Sequence, residues 1–127
     1  MEKNRIHTEK APQAIGPYSQ AIEIGDMVFT SGQIPLDPET GTFPEGIEAQ
    51  TEQALSNVEQ ILLAAGSDLK RVVKTTVFLS DMENFGAMNQ VYERKFSGTV
   101  YPSRSAVEVA RLPKDALVEI EAIALKK

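Results

Sequence analysis

The residues best suited to chemistry lie in the last quarter of the chain. Two runs of strand-like alternation, Arg104–Ala110 and Ala116–Leu125, are joined by Arg111-Leu112-Pro113-Lys114-Asp115. If the runs pair as an antiparallel hairpin, one sheet face gathers Arg104, Glu108, Glu119 and Glu121, with Ala106, Leu117 and Ile123 interleaved. Val118, Ile120, Ala122 and Ala124, with Ser105, Val107 and Val109, then fall on the core side. Three carboxylates around one guanidinium are an unbalanced set. Either the face is hydrated and carries a few ion pairs, or it lines a subunit boundary or pocket in which Arg104 receives an anionic ligand. The interleaved apolar residues favour cover by another chain, as a C₂ or C₃ homo-oligomer would supply.

Other chemistries find less material. The chain has no cysteine, which excludes thiolate nucleophiles, disulfides and Cys-ligated metal. Its one histidine, His7, lies near the amino terminus, and no G-x-S-x-G elbow accompanies it, so a hydrolase triad has no support and no metal site is expected. Gly41 and Gly46 have P-loop spacing, but Ile47 and Glu48 follow where Lys and Ser or Thr are required. A net charge of -5, scattered along the sequence, argues against a nucleic-acid surface. No apolar run approaches the roughly 18 residues of a membrane span. The amino-terminal MEKNRIHTEK lacks the apolar stretch of a signal peptide, so a cytoplasmic protein with no membrane partner is expected.

At 127 residues, with 42% hydrophobic and 24% charged, the chain has room for one domain, 1–127. Ser19–Ile24 and Met27–Ser31 read as a hairpin turning at Gly25-Asp26. The Pro- and Gly-bearing stretch from Gly32 to Gly46 reads as a long loop. Thr51, Leu55, Val58, Leu62 and Ala65 form a helical stripe that Gly66 ends. Val72–Leu79 reads as a strand with Val73, Thr75, Val77 and Leu79 on one face. A second helix, capped by Ser80 or Asp81, carries the stripe Phe85, Met88, Tyr92 and Phe96, assigned to the core, with Asn89 at its edge as a structural amide or a ligand contact. The order β-β-α-β-α-β-β implies an α+β sheet with two helices packed on one face.

The segments GPYSQAI (16–22), SGQIPLDPETG (31–41), VVKTTVFLSDMENF (72–85) and YPSRSAVEVARLPKDALVEIEAIAL (101–125) closely resemble the YjgF/RidA family, over about residues 6–126. The resemblance implies a chorismate-mutase-like mixed sheet, a homotrimer with clefts between subunits, and 2-iminobutanoate/2-iminopropanoate deaminase activity. It matches Arg104 to the arginine that grips the substrate carboxylate and Glu119 to the glutamate that positions or activates water. Tyr18, Gly32 and Asn89 fall on pocket positions. Ala106 stands where the family usually has cysteine, leaving only a backbone N–H to meet the ligand there.

These residue types suit that reaction. Small 2-imino acids already hydrolyse in water, so the catalyst needs neither a cofactor nor a strong nucleophile. A planar guanidinium matches a carboxylate better than lysine does. Glu119 would exchange protons with the attacking water, its ionisation favoured by a nearby Arg104 and opposed by burial. The alternative is a non-catalytic trimeric binder of small 2-oxo acids with a regulatory role, for which Arg104 serves equally. Ribonuclease activity suits so acidic a chain less well.

Overall fold

The computed structural model describes residues 1–127. Six strands form one mixed sheet: β1 (Asn4–Ile6), β2 (Ala21–Ile24), β3 (Met27–Thr30), β4 (Val72–Leu79), β5 (Ser103–Glu108) and β6 (Val118–Leu125). They lie side by side in the order β1-β2-β3-β6-β4-β5, and only β4 and β5 pair in parallel. Two helices, α1 (Ile47–Ala64) and α2 (Phe85–Lys95), pack on one side of it, as expected. No helix is long and apolar enough to cross a membrane.

Local signals account for most elements. Gly25 turns the β2–β3 hairpin at φ 55, where a Cβ is unfavourable. Helix α1 starts four residues before the stripe's first member and buries Ala54, Leu55, Val58, Ile61 and Leu62. It stops at a glycine in the left-handed region, Gly66 at φ 78, with Ser67 N–H donating to the Leu62 carbonyl (2.8 Å) and Gly66 N–H to that of Leu63 (3.1 Å). Asp81 caps the short 3₁₀ turn that leads into α2, accepting from Glu83 N–H at 2.9 Å. Met88, Tyr92 and Phe96 face inward from α2 and join the α1 residues over Val28, Val77, Leu79, Val118, Ile120, Ala122 and Ala124.

Three expectations are corrected. A third amino-terminal strand, β1, pairs with β2 through Asn4–Glu23, Arg5–Ile22 and Ile6–Ala21; three residues with one apolar side chain carry no alternation to read. In β4 the register slips between Val72 and Lys74, so Val72 is buried and Val73, expected to share a face with Thr75, Val77 and Leu79, is 41% exposed. Most consequentially, β5 and β6 do not form a hairpin. Strand β4 lies between them, parallel to β5 and antiparallel to β6. The 109–117 connection straddles the end of β4, bending at Lys114 and Asp115, both at positive φ (55 and 57). The sheet edge goes to β5 because its Ser-Arg-Ser-Ala-Val-Glu is more polar than β4 or β6, which are apolar enough to be covered.

Buried amides pin the long loop. Asn57, 1% exposed on α1, donates from Nδ2 to the carbonyls of Ile34 (3.1 Å) and Leu36 (2.9 Å) and accepts from Gln53 at 3.0 Å. Asn57→Leu keeps the volume and strands those carbonyls. Urea unfolding at fixed protein concentration should show a loss of about 1–3 kcal/mol with an unchanged m-value.

Candidate active site

Moving β4 between β5 and β6 changes which side chains share a face. Thr75 of β4 stands opposite Arg104 on one side and Ala122 on the other, which puts Arg104 on the helix side of the sheet. Glu119 stands opposite Phe78, one residue out of phase with the buried Val118 and Ile120, and so points to the side that neither helix covers. Arg104 and Glu119 therefore do not meet within one chain, and the shared face expected of them is corrected. Each carries its own half-site.

The first half is built on β5 and α2. Arg104 donates from Nη1 to Asn89 Oδ1 at 2.7 Å, so Asn89 is a polar contact of the guanidinium. The guanidinium carbon lies 5.4 Å from the Phe85 ring centre and 4.7 Å from that of Tyr92. The ion pairs of the chain are Lys95–Glu52, Lys126–Glu23 and Lys127–Asp68, and Arg104 belongs to none. Instead it faces an open cavity of about 370 Å³ lined by Asn89, Tyr92, Glu93, Tyr101, Pro102 and Arg104 itself. Val109 N–H donates to Leu79 on β4 at 2.9 Å, and strand alternation then turns the N–H of Ala106 to the free edge of β5. Ala106 shares the helix side with Arg104 and packs on the core.

Of the residues around Arg104, sequence reasoning missed Phe85 and Tyr92 as more than core. Their spacing with Asn89, i, i+4 and i+7, puts all three on one helical face, the signal that was available.

The second half is built on β6 and the segment after β3. Gln33 bridges Ile120, with Gln33 N–H donating to its carbonyl (2.8 Å) and Ile120 N–H returning the bond (3.1 Å), and this brings Gly32 against Glu119. A Cβ at Gly32 would collide with Glu119 Oε2 and lie 2.8 Å from its Cδ, so the glycine is required by space. Ser31 ties in the loop that carries Tyr18: its hydroxyl donates to the Ser19 carbonyl (2.6 Å) and its N–H to that of Gln20 (2.8 Å). Tyr18 itself is 53% exposed.

Burial pushes the Glu119 carboxyl above its ordinary range, and Glu121 on the same face adds to the rise. Arg104 is too remote in the same chain to oppose this. A raised folded-state pKa means that the proton is held more tightly in the folded chain, so stability falls as pH rises from the unfolded value, about 4.3, through the folded one. Glu119→Gln should flatten that part of the curve, which thermal unfolding between pH 4 and pH 8 checks.

The sequence comparisons place these features in a family. The Endoribonuclease L-PSP family profile matches residues 8–126. The 2-iminobutanoate/2-iminopropanoate deaminase of Salmonella typhimurium is 52% identical over 124 residues, covering 96% of this chain and 97% of its own. A RutC family protein of Pyrococcus abyssi is 54% identical over 128 residues, covering 100% of both chains. Among solved structures, Escherichia coli TdcF with bound serine has a TM-score of 0.95 at 48% identity, covering 98% of this chain and 99% of its own. The Escherichia coli YjgF gene product has a TM-score of 0.95 at 50% identity, with the same coverage. Fold, profile and relatives agree that the chain belongs to the YjgF/RidA family, the one described as Endoribonuclease L-PSP.

Proposed function

We propose that the protein hydrolyses small 2-imino acids such as 2-iminobutanoate and 2-iminopropanoate to 2-oxo acids and ammonia, in clefts between the subunits of a homotrimer. The observation that carries this reading is Arg104: a braced guanidinium, unpaired with any protein carboxylate, at the mouth of an open cavity. Such a group is a receptor for a ligand carboxylate. The water-handling group, Glu119, lies across the sheet, so a second copy must bring its own Glu119, Gly32 and Tyr18 to the Arg104 cavity of the first. The uncovered sheet face supports such a contact, since Phe29 (38% exposed) and Val107 (43%) stand among Glu119, Glu121 and Lys74.

In this site the substrate carboxylate binds the free N–H groups of Arg104, with Ala106 N–H at the strand edge as a further donor. Water attacks C2 of the C=N bond while Glu119 takes one of its protons. That proton passes to nitrogen to give a carbinolamine; the hydroxyl proton then moves by way of Glu119 to nitrogen as the C–N bond breaks, so that ammonia leaves, the carbonyl forms and Glu119 is ionised again. The balance is imine plus water to 2-oxo acid plus ammonia. Glu119 must start ionised, and its raised pKa makes it a better base than an exposed glutamate once it is.

A second reading, a non-catalytic binder of small amino or oxo acids, has one observation in its favour: the relative solved with bound serine holds a carboxylate ligand without a C=N bond. Turnover separates the two. A threonine dehydratase generates 2-iminobutanoate in situ, with semicarbazide as competing trap, and ammonia and 2-oxobutanoate are followed. Faster release with this protein supports the deaminase; binding of 2-oxobutanoate without acceleration supports the binder.

A further inference from the structure

We propose that Tyr92, held by Thr75, is the positioning residue that fixes the plane of the Arg104 guanidinium. This rests on the reading of Arg104 as the carboxylate receptor and adds to it the group that aims the receptor.

Three observations lead here. Phe85 and Tyr92 are seven residues apart on α2, about 10.5 Å along the axis at 1.5 Å per residue. A guanidinium carbon 5.4 Å from one ring centre and 4.7 Å from the other therefore sits between them. With a ring on either side, the guanidinium keeps its hydrogen bonds for the remaining directions. Asn89 takes one N–H, and the others are left for the cavity.

The Tyr92 ring is itself anchored. Its hydroxyl lies 2.7 Å from Thr75 Oγ1, and both residues are buried, at 4% and 1% exposed. The partner ring is less firmly set: Phe85 is only partly buried and has no polar tip to tether. Phe96 packs against the Tyr92 ring at a 39° tilt, centroids 4.6 Å apart.

Stability does not require the two hydroxyls. A buried hydrogen-bonded pair replaced on both sides by apolar groups of the same shape is nearly neutral for folding. Thr75 stands among Val72, Val77 and Leu79 on the core face of β4, where valine would fit. What the hydroxyl pair adds is a fixed tip for the aromatic ring, and through the ring a fixed plane for the guanidinium on the neighbouring strand. Tyr92 acts through Arg104, whose guanidinium it contacts.

The decisive variant is the double substitution Thr75→Val with Tyr92→Phe, which removes both hydroxyls and keeps shape. Expected are a melting temperature within a few degrees of wild type, a roughly fivefold rise in KM for 2-iminobutanoate and in Kd for 2-oxobutanoate, and a kcat changed less than twofold. Tyr92→Phe alone, which strands Thr75, should be the less stable protein, and adding Thr75→Val should restore stability without restoring KM. A structural role alone would move the two together. Arg104→Lys is the reference. If Arg104→Lys weakens binding while the double variant binds as wild type does, the positioning role is refuted and the receptor stands. If Arg104→Lys also binds as wild type, the reading of the site fails and this proposal with it.

Discussion

Replacing Arg104 with alanine is expected to lower kcat/KM for 2-iminobutanoate by about 10- to 150-fold, the equivalent of losing about 1.5–3 kcal/mol of charge-assisted hydrogen bonding. Most of the loss should appear in KM. The substrate carboxylate keeps its charge from the bound imine to the tetrahedral intermediate, so the fork binds ground state and transition state nearly alike. Some loss of kcat accompanies it, because the fork also sets the distance from C2 to the water. The fold should survive: Arg104 is partly buried on an edge strand, outside every ion pair of the chain, and its removal leaves Phe85, Asn89 and Tyr92 facing a cavity that already admits solvent. Initial rates across substrate concentration, with a thermal melt as control, check both parts. A variant with wild-type KM would remove Arg104 from the site.

The sequence made the elements more legible than their pairing. Alternation in β6 correctly sorts Val118, Ile120, Ala122 and Ala124 under the helices and Glu119 and Glu121 away from them, because one strand's faces depend only on its own period. Alternation in β5 also separates the right residues but cannot say which set faces the helices, since both are small or polar. The hairpin assumption supplied that answer wrongly. Two strands joined by nine residues usually pair; here β4, with Thr75, Val77 and Leu79 buried on its helix side, lies between them and the 109–117 segment crosses its end. The consequence reaches function, because the guanidinium and the carboxylate that looked like neighbours belong to opposite sides of one sheet. Asn89 was legible as an edge residue of a stripe, yet its partner was not, since a helix position and a strand position meet only through the tertiary fold. Gly32 carried no local signal: its φ is ordinary, and only the closeness of Glu119 explains it.

That separation makes the largest qualitative prediction. Arg104→Ala and Glu119→Gln should each be impaired alone, and a mixture of the two, unfolded together and refolded, should recover activity. If each cleft takes Arg104 from one chain and Glu119 from its neighbour, a cleft is intact wherever an Arg104-bearing subunit meets a Glu119-bearing one in the correct order. At equal proportions in a cyclic trimer, about one quarter of the clefts satisfy this. The recovered rate should then approach about one quarter of wild type, well above either parent, and should disappear when Arg104→Ala is mixed with the double variant. Mixing the folded parents without unfolding should restore nothing if subunit exchange is slow, which separates complementation from simple addition. A mixture no more active than its parents would mean that both groups act within one chain, which requires Glu119 to reach through the sheet, past β4, to the helix side. The six-stranded pairing leaves no opening there, with Phe78 directly between Glu119 and Val107 on the uncovered face and Val77 between Ile120 and Ala106 on the other. The sheet is thus a partition, and under the proposed reading only a second chain can supply what lies behind it.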